Sequence, residues 1–253
     1  MMNEIIKINN VSKSFGSFKL KNISLEINEK EIVAFLGPNG AGKTTTIKLI
    51  MNALKKDKGE IDFMGGPIKQ NDVDYRKHIG YMPESGTPYE FLTAREYLEF
   101  LIGVYGVEKT KTKEKIGEVL SIFNLKDEKK HIRTYSKGMK QKVLFLGAII
   151  HNPKLLILDE PFNAIEPQTA MLMKNILMEM KDAGSGIIFS SHVLEIVEKL
   201  ADRVVLINNG EKVGEGKIAS IKEKGGLEEF FKELTNAYQV DENTEKIIEV
   251  IKS

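Results

Sequence analysis

No cysteine occurs among the 253 residues. Disulfides, thiolate metal sites and cysteine nucleophiles are therefore excluded together, and the absence suits a reducing compartment. Neither sign of charge is in excess: Lys and Arg number 37, Asp and Glu 36, for a formal net charge of +1. The basic field that marks nucleic-acid binders is missing, so no nucleic-acid partner is expected. Long apolar runs are missing too. Val143–Ile150 (VLFLGAII) is among the longest, far short of the roughly 20 residues that a membrane helix needs. The start, MMNEIIKINN, has no apolar stretch after a basic segment, so no signal peptide is expected. These absences predict a soluble chain whose membrane role, if it has one, comes through a partner. No internal repeat or low-complexity linker interrupts it.

What is present is an ordinary globular mixture, 42% hydrophobic and 29% charged, in a chain long enough for one large domain or two small ones. Short strand-like runs open it at Glu4–Ile8, Ile23–Ile27 and Glu31–Leu36, with further candidates at Glu60–Met64 and Ile79–Met82. From Thr93 to Asn152 apolar residues recur at three- and four-residue spacing, which predicts helices. Strands then return in LLILDE, GIIFSS and RVVLINNG, alternating with helical stretches at Pro167–Lys181 and Val193–Leu200. Such alternation predicts a parallel α/β sheet with a helical insertion. Two amphipathic helices are expected in the tail, LEEFFKEL and TEKIIEVIK. The four methionines Met171, Met173, Met178 and Met180 share one helix and read as core packing. The basic run Lys109–Lys115 (KTKTKEK) reads as a solvated face.

Gly37–Thr44 reads GPNGAGKT. It follows a predicted strand and opens a predicted helix, the context of a P-loop. Gly37, Gly40 and Gly42 let the backbone curl around Pro38, Asn39 and Ala41, so that successive N–H groups face a phosphate, with Thr45 just inside the helix. Lys43 places a point charge on the β- and γ-phosphates, and Thr44 offers a hydroxyl to Mg²⁺. LLILDE delivers Asp159 beside that loop, where it suits an outer-shell magnesium ligand, while Glu160 is placed to orient or deprotonate a water. Ser190–His192 ends the next apolar strand, and sites in parallel sheets gather at the C-terminal ends of strands. A lone histidine is often structural. The position of His192 favours a functional role.

With these motifs in this order the chain resembles the nucleotide-binding subunit of ABC transporters, from about Ile6 to about Asn209. The resemblance implies an α/β fold: a P-loop NTPase core with a parallel sheet, an N-terminal antiparallel β subdomain and a helical subdomain that bears the signature. It implies an ATPase domain over 1–215 with the helical subdomain inserted at about 86–152, and a C-terminal helical extension over 216–253. ATP and Mg²⁺ are the implied cofactors. Phe15 falls where the family's aromatic stacks on adenine, a core position being the alternative reading. Glu84 stands where the Q-loop glutamine is usual and can bind Mg²⁺ or a water. Asn163, Ala164, Ile165 and Glu166 correspond to the D-loop, and His192 to the switch histidine.

The family's LSGGQ signature corresponds to Tyr135-Ser136-Lys137-Gly138-Met139. Ser136 and Gly138 are kept; Tyr135, Lys137 and Met139 depart. A serine hydroxyl, a helix N-terminus and an added cation are suited to a γ-phosphate. In the family that phosphate belongs to a partner's ATP, so the resemblance implies a head-to-tail dimer with a second copy or a homologous subunit. It also implies an integral membrane permease subunit, engaged near Glu84–Arg95, and a peripheral position on the inner face of the cell membrane. The YSKGM form, Glu84 and the LEEFFKELT segment resemble subunits of drug, antibiotic and peptide exporters. The rival reading is a soluble ABC protein acting on ribosomes or DNA. A kinase or GTPase is disfavoured by the lack of an N-K-x-D guanine-reading motif.

Overall fold

A computed structural model of the chain describes residues 3–69, 71–107, 112–125 and 129–235. The expected helix TEKIIEVIK and part of the KTKTKEK run lie outside the described residues. Two sheets carry the fold. The first is antiparallel, in the order β2-β1-β4-β5, built from β1 (Glu4–Phe15), β2 (Phe18–Asn28), β4 (Lys58–Phe63) and the two-residue β5 (Gly66–Pro67). The second has the order β10-β9-β3-β8-β7-β6. Its members are β3 (Ile32–Leu36), β6 (Ile79–Met82), β7 (Leu155–Leu158), β8 (Gly186–Ser191), β9 (Arg203–Asn208) and β10 (Glu211–Lys217). All pairings in it are parallel except that of β9 with β10.

The central strand shows why the sheets stack. In β3 every residue is buried, and side chains alternate between faces with period two. Ile32, Ala34 and Leu36 join the core under the helices, while Val33 and Phe35 join the core against the antiparallel sheet. A near-continuous apolar strand covered on both faces is what a central parallel strand requires.

Helices fill the connections. α1 (Lys43–Ile50) follows β3, and α2 (Ala94–Tyr105), α3 (Thr112–Ile122) and α4 (Lys137–Ile149) lie between β6 and β7. α5 (Pro167–Asp182) and α6 (Leu194–Leu200) follow β7 and β8, and α7 (Ile218–Lys222) and α8 (Leu227–Thr235) follow β10. α2 begins in a capping box, with Thr93 accepting from the Glu96 N–H and the Glu96 carboxylate accepting from the Thr93 N–H. α8 is the expected LEEFFKEL helix, and its Phe230, Phe231 and Leu234 pack on the helical-side core.

The first two strands run well beyond the expected Glu4–Ile8 and Ile23–Ile27. β1 continues through the polar stretch Asn9–Phe15, paired with β2 through register shifts between Ile8, Val11 and Lys13. In the outer half of this hairpin Val11 and Leu20 are buried, but Asn9, Asn10, Ser12, Lys13 and Ser14 break the apolar pattern of β1.

Candidate nucleotide site at the strand ends

The P-loop leaves β3, which lies between β8 and β9, and β8 lies next to β7. Three neighbouring strand ends thus deliver Lys43, Asp159 and the Ser190–His192 segment to one place. The backbone there needs glycine. A Cβ on Gly37 would lie 2.1 Å from the carbonyl oxygen of Ile207. Gly42, at the N-cap of α1, has φ +117° and would bring a Cβ to 2.7 Å from Leu20. The loop borders a cavity of about 370 Å³ whose lining is residues 39–45 with Phe18, Glu84, Asp159 and Glu160.

Lys43 is buried, and its ammonium donates to the carbonyls of Gly37 at 2.7 Å and Pro38 at 3.2 Å. Burial pushes its pKa down; the negative charges of Glu160, Asp159 and Glu84 oppose that shift. Thr44 Oγ1 donates to Asp159 Oδ2 at 2.8 Å. The other carboxylate oxygen of Asp159 accepts from Ser190 Oγ at 2.5 Å, and that hydroxyl accepts from the Glu160 N–H at 2.8 Å. Glu160 is buried with φ +50°, and its Oε2 lies 3.0 Å from Nδ1 of the exposed His192. The Tyr81 phenol is pushed up to about 12, mainly by burial and further by Asp159.

The donor set fits Mg²⁺ bound with a polyphosphate. One lysine faces three carboxylates across the cavity, a deficit of positive charge that a divalent ion offsets. No group of three or more acidic or histidine side chains able to hold a metal occurs among the described residues. Thr44 and Asp159 are joined by a hydrogen bond beside this cavity, with Glu84 and Glu160 also in its lining, which suits a Mg²⁺ that takes its remaining ligands from phosphate and water. The start of α1, Lys43–Thr45, lines the same cavity, and the N–H groups of a helix N-terminus suit phosphates.

Not every expected site residue reaches this cavity. Phe15 stands at the end of β1, 42% exposed, with the Lys13 ammonium 5.4 Å from its ring centroid. Phe18, its partner across the hairpin, lines the cavity instead. Ser136 caps α4, accepting from the Met139 N–H at 3.3 Å, so its own hydroxyl hydrogen stays available to another acceptor. Lys137 is exposed, whereas Met139 packs partly into the helical-side core and Tyr135 is buried in it. Among the residues lining the P-loop cavity, none comes from 136–139.

Residues 163–166, where the resemblance places the D-loop, lie against the turn at residues 135–139. A Cβ on Gly138 would lie 2.7 Å from the carbonyl oxygen of Ala164, which itself has φ +59°. Ile165 packs partly into the helical-side core, and the Asn163 N–H donates to the Glu160 carbonyl at 3.3 Å. Glu166 occupies the N-cap of α5 but makes no capping bond; its carboxylate meets the buried Lys142 ammonium at 3.5 Å. Gln141 Nε2 reaches the Glu84 carbonyl at 3.4 Å, and Lys140 pairs with Glu90 at 2.5 Å, tying α4 to the segment after β6. Phe18, Ser190, Lys142 and Gln141 were not singled out individually by the sequence reading. Only Ser190, a polar residue closing an apolar strand, left a signal there.

Comparison with known proteins bears on the same residues. The ABC transporter family model matches residues 20–163. The chain is 37% identical to an uncharacterised ABC transporter ATP-binding protein, YhaQ, of Bacillus subtilis, over 88% of this chain and 74% of YhaQ. It is 35% identical to the linearmycin resistance ATP-binding protein LnrL of the same organism, over 84% of this chain and 69% of LnrL. A solved ATP-binding subunit of an ABC transporter superposes with a TM-score of 0.85 at 30% identity, covering 91% of this chain and 99% of that one. With its P-loop fold and these relatives, the chain belongs to the ATP-binding subunits of the ABC transporter family and is an ATPase of that family.

Proposed function

We propose that two copies, or one copy and a homologous subunit, pack head to tail around two Mg·ATP molecules. The separation of two phosphate-directed features carries this reading. Lys43 borders one cavity, and the Ser136 turn, with a free hydroxyl hydrogen and a helix N-terminus behind it, contributes nothing to that cavity. A second molecule would supply the phosphate that the turn faces.

Within each site Lys43 and the backbone N–H groups of residues 39–45 hold the phosphates, and Thr44 and Asp159 hold Mg²⁺, with Glu84 across the cavity. The bound Mg²⁺ would neutralise charge on the transferred phosphoryl group. Glu160 accepts the proton of the attacking water, and His192 orients the Glu160 carboxylate through Nδ1. Ser136, Lys137 and Gly138 of the other copy add donors and a cation at the γ-phosphate.

The work is delivered to a membrane subunit. No described helix is long and apolar enough to cross a membrane. Beside Glu84, an aromatic surface is open: Phe91 is 79% exposed, and Tyr89 lies edge-on to Phe100 at 5.3 Å. An apolar segment of a permease would cover it, placing the chain on the inner face of the cell membrane. Export of an antibiotic, drug or peptide is the cargo class favoured by the YSKGM signature and by LnrL, whose name records linearmycin resistance.

Ser136→Arg tests the dimer. The variant should bind ATP as the wild type does, because the P-loop is untouched, yet fail to close into a dimer and to hydrolyse. Loss of ATP binding by the isolated chain would place the turn on its own nucleotide and contradict the proposal.

A further inference from the structure

Glu160 sits in the left-handed region, at φ +50°, which residues with a Cβ adopt only when their surroundings enforce it. The enforcing contact is visible. Ser190 is wholly buried, at 0% exposure. Its Oγ accepts from the Glu160 N–H at 2.8 Å and donates its only hydrogen to Asp159 Oδ1 at 2.5 Å. Asp159 Oδ2 accepts from Thr44 Oγ1 at 2.8 Å. Two residues beyond Ser190, His192 Nδ1 meets the Glu160 carboxylate at 3.0 Å. One strand end therefore holds Glu160 at both its backbone and its side chain.

We propose that Ser190 is a positioning residue that sets the Mg²⁺ ligand Asp159 and the base Glu160 against each other through a single hydroxyl. A hydroxyl has one hydrogen to donate and lone pairs to accept with. Here both capacities are used, and each goes to one of the two acidic residues that the proposed chemistry needs. With the hydroxyl removed, Asp159 Oδ1 loses its donor and the Glu160 N–H is buried without an acceptor. Asp159 would then be free to rotate away from Thr44, and Glu160 to leave its left-handed conformation. The inference rests on the proposed roles of Asp159 and Glu160.

The test compares Ser190→Ala with Ser190→Thr. A fluorescent ATP analogue is titrated with excess EDTA and then over a range of Mg²⁺ concentrations. Ser190→Ala should match the wild type in EDTA, need about tenfold more Mg²⁺ for half-maximal tight binding, and lower kcat more than it raises KM. Ser190→Thr should restore the Mg²⁺ dependence. Amide hydrogen exchange without nucleotide gives an independent measure: the peptide spanning Glu160 should lose protection in Ser190→Ala. Wild-type Mg²⁺ dependence and wild-type protection in Ser190→Ala would overturn the proposal. Equal loss in both variants would also overturn it, marking Ser190 as a packing residue. A wild-type chain that neither binds nor hydrolyses Mg·ATP would instead sink the functional reading, leaving the exchange result to judge the contact.

Discussion

Gly138 and Ala164 touch: a Cβ on Gly138 would lie 2.7 Å from the Ala164 carbonyl oxygen. The turn that begins at Ser136 therefore rests on the backbone four residues after Glu160. A methyl group there must push on backbone, and Ala164 already has φ +59°, so the strain cannot be absorbed by a side-chain rotation. Gly138→Ala is expected to cost about 1–3 kcal/mol of stability and to lower ATP turnover by about tenfold or more through a displaced Ser136. ATP binding by the isolated chain should stay within a few-fold of the wild type. Melting curves, nucleotide titration and turnover on one preparation measure all three. Lost ATP binding by the isolated chain, or turnover equal to that of the wild type, would contradict the placement.

Phe18 and Phe15 separate what the sequence and the structure say about the base. The resemblance assigns the adenine contact to Phe15, whereas the cavity is lined by Phe18. Phe18→Ala should weaken nucleotide binding by about 1 kcal/mol or more, within the range of a lost base-stacking contact. Phe15→Ala should have the smaller effect. Titration of each variant with a fluorescent ATP analogue measures it, and a larger loss in Phe15→Ala would restore the family assignment.

His151 makes stability depend on pH. Its ring stacks on Tyr105 at 3.6 Å and 4°, Nε2 lies 3.1 Å from the Ile79 carbonyl, and Nδ1 is buried with no partner. Burial lowers its pKa below 6.5, the Ile79 carbonyl opposes that, and nearby His78 adds to the lowering. The unfolded chain then binds the proton more readily than the folded one. Stability should be full above about pH 6.5 and fall as the pH drops from there through the folded pKa. His151→Phe keeps the stack and removes the titration. Its melting temperature should therefore fall less than that of the wild type between pH 7.5 and 5.5. Parallel slopes for the two proteins would contradict this.

Much of the site could be read from sequence because its chemistry is local. GPNGAGKT and LLILDE each hold their donors within a few residues, and an apolar strand before a glycine loop leaves few alternatives. Contacts across the fold left no such trace. Lys142 and Glu166 are 24 positions apart, and neither type announces the other. Ser190 could be seen as polar, but its double hydrogen bond depends on β8 lying beside β7. The length of β1 is hidden for a related reason: between Asn9 and Phe15 only Val11 is buried, and the strand is held there by backbone pairing with β2.

In the proposed mechanism Glu160 drives hydrolysis of ATP held between two molecules. Glu160→Gln measures it most directly, since the amide keeps the shape of the side chain and removes the base. The variant should bind Mg·ATP, lose turnover by about 100-fold or more, and elute as an ATP-dependent dimer on sizing. A variant that hydrolyses ATP at the wild-type rate, or that binds ATP and remains a monomer, would contradict it.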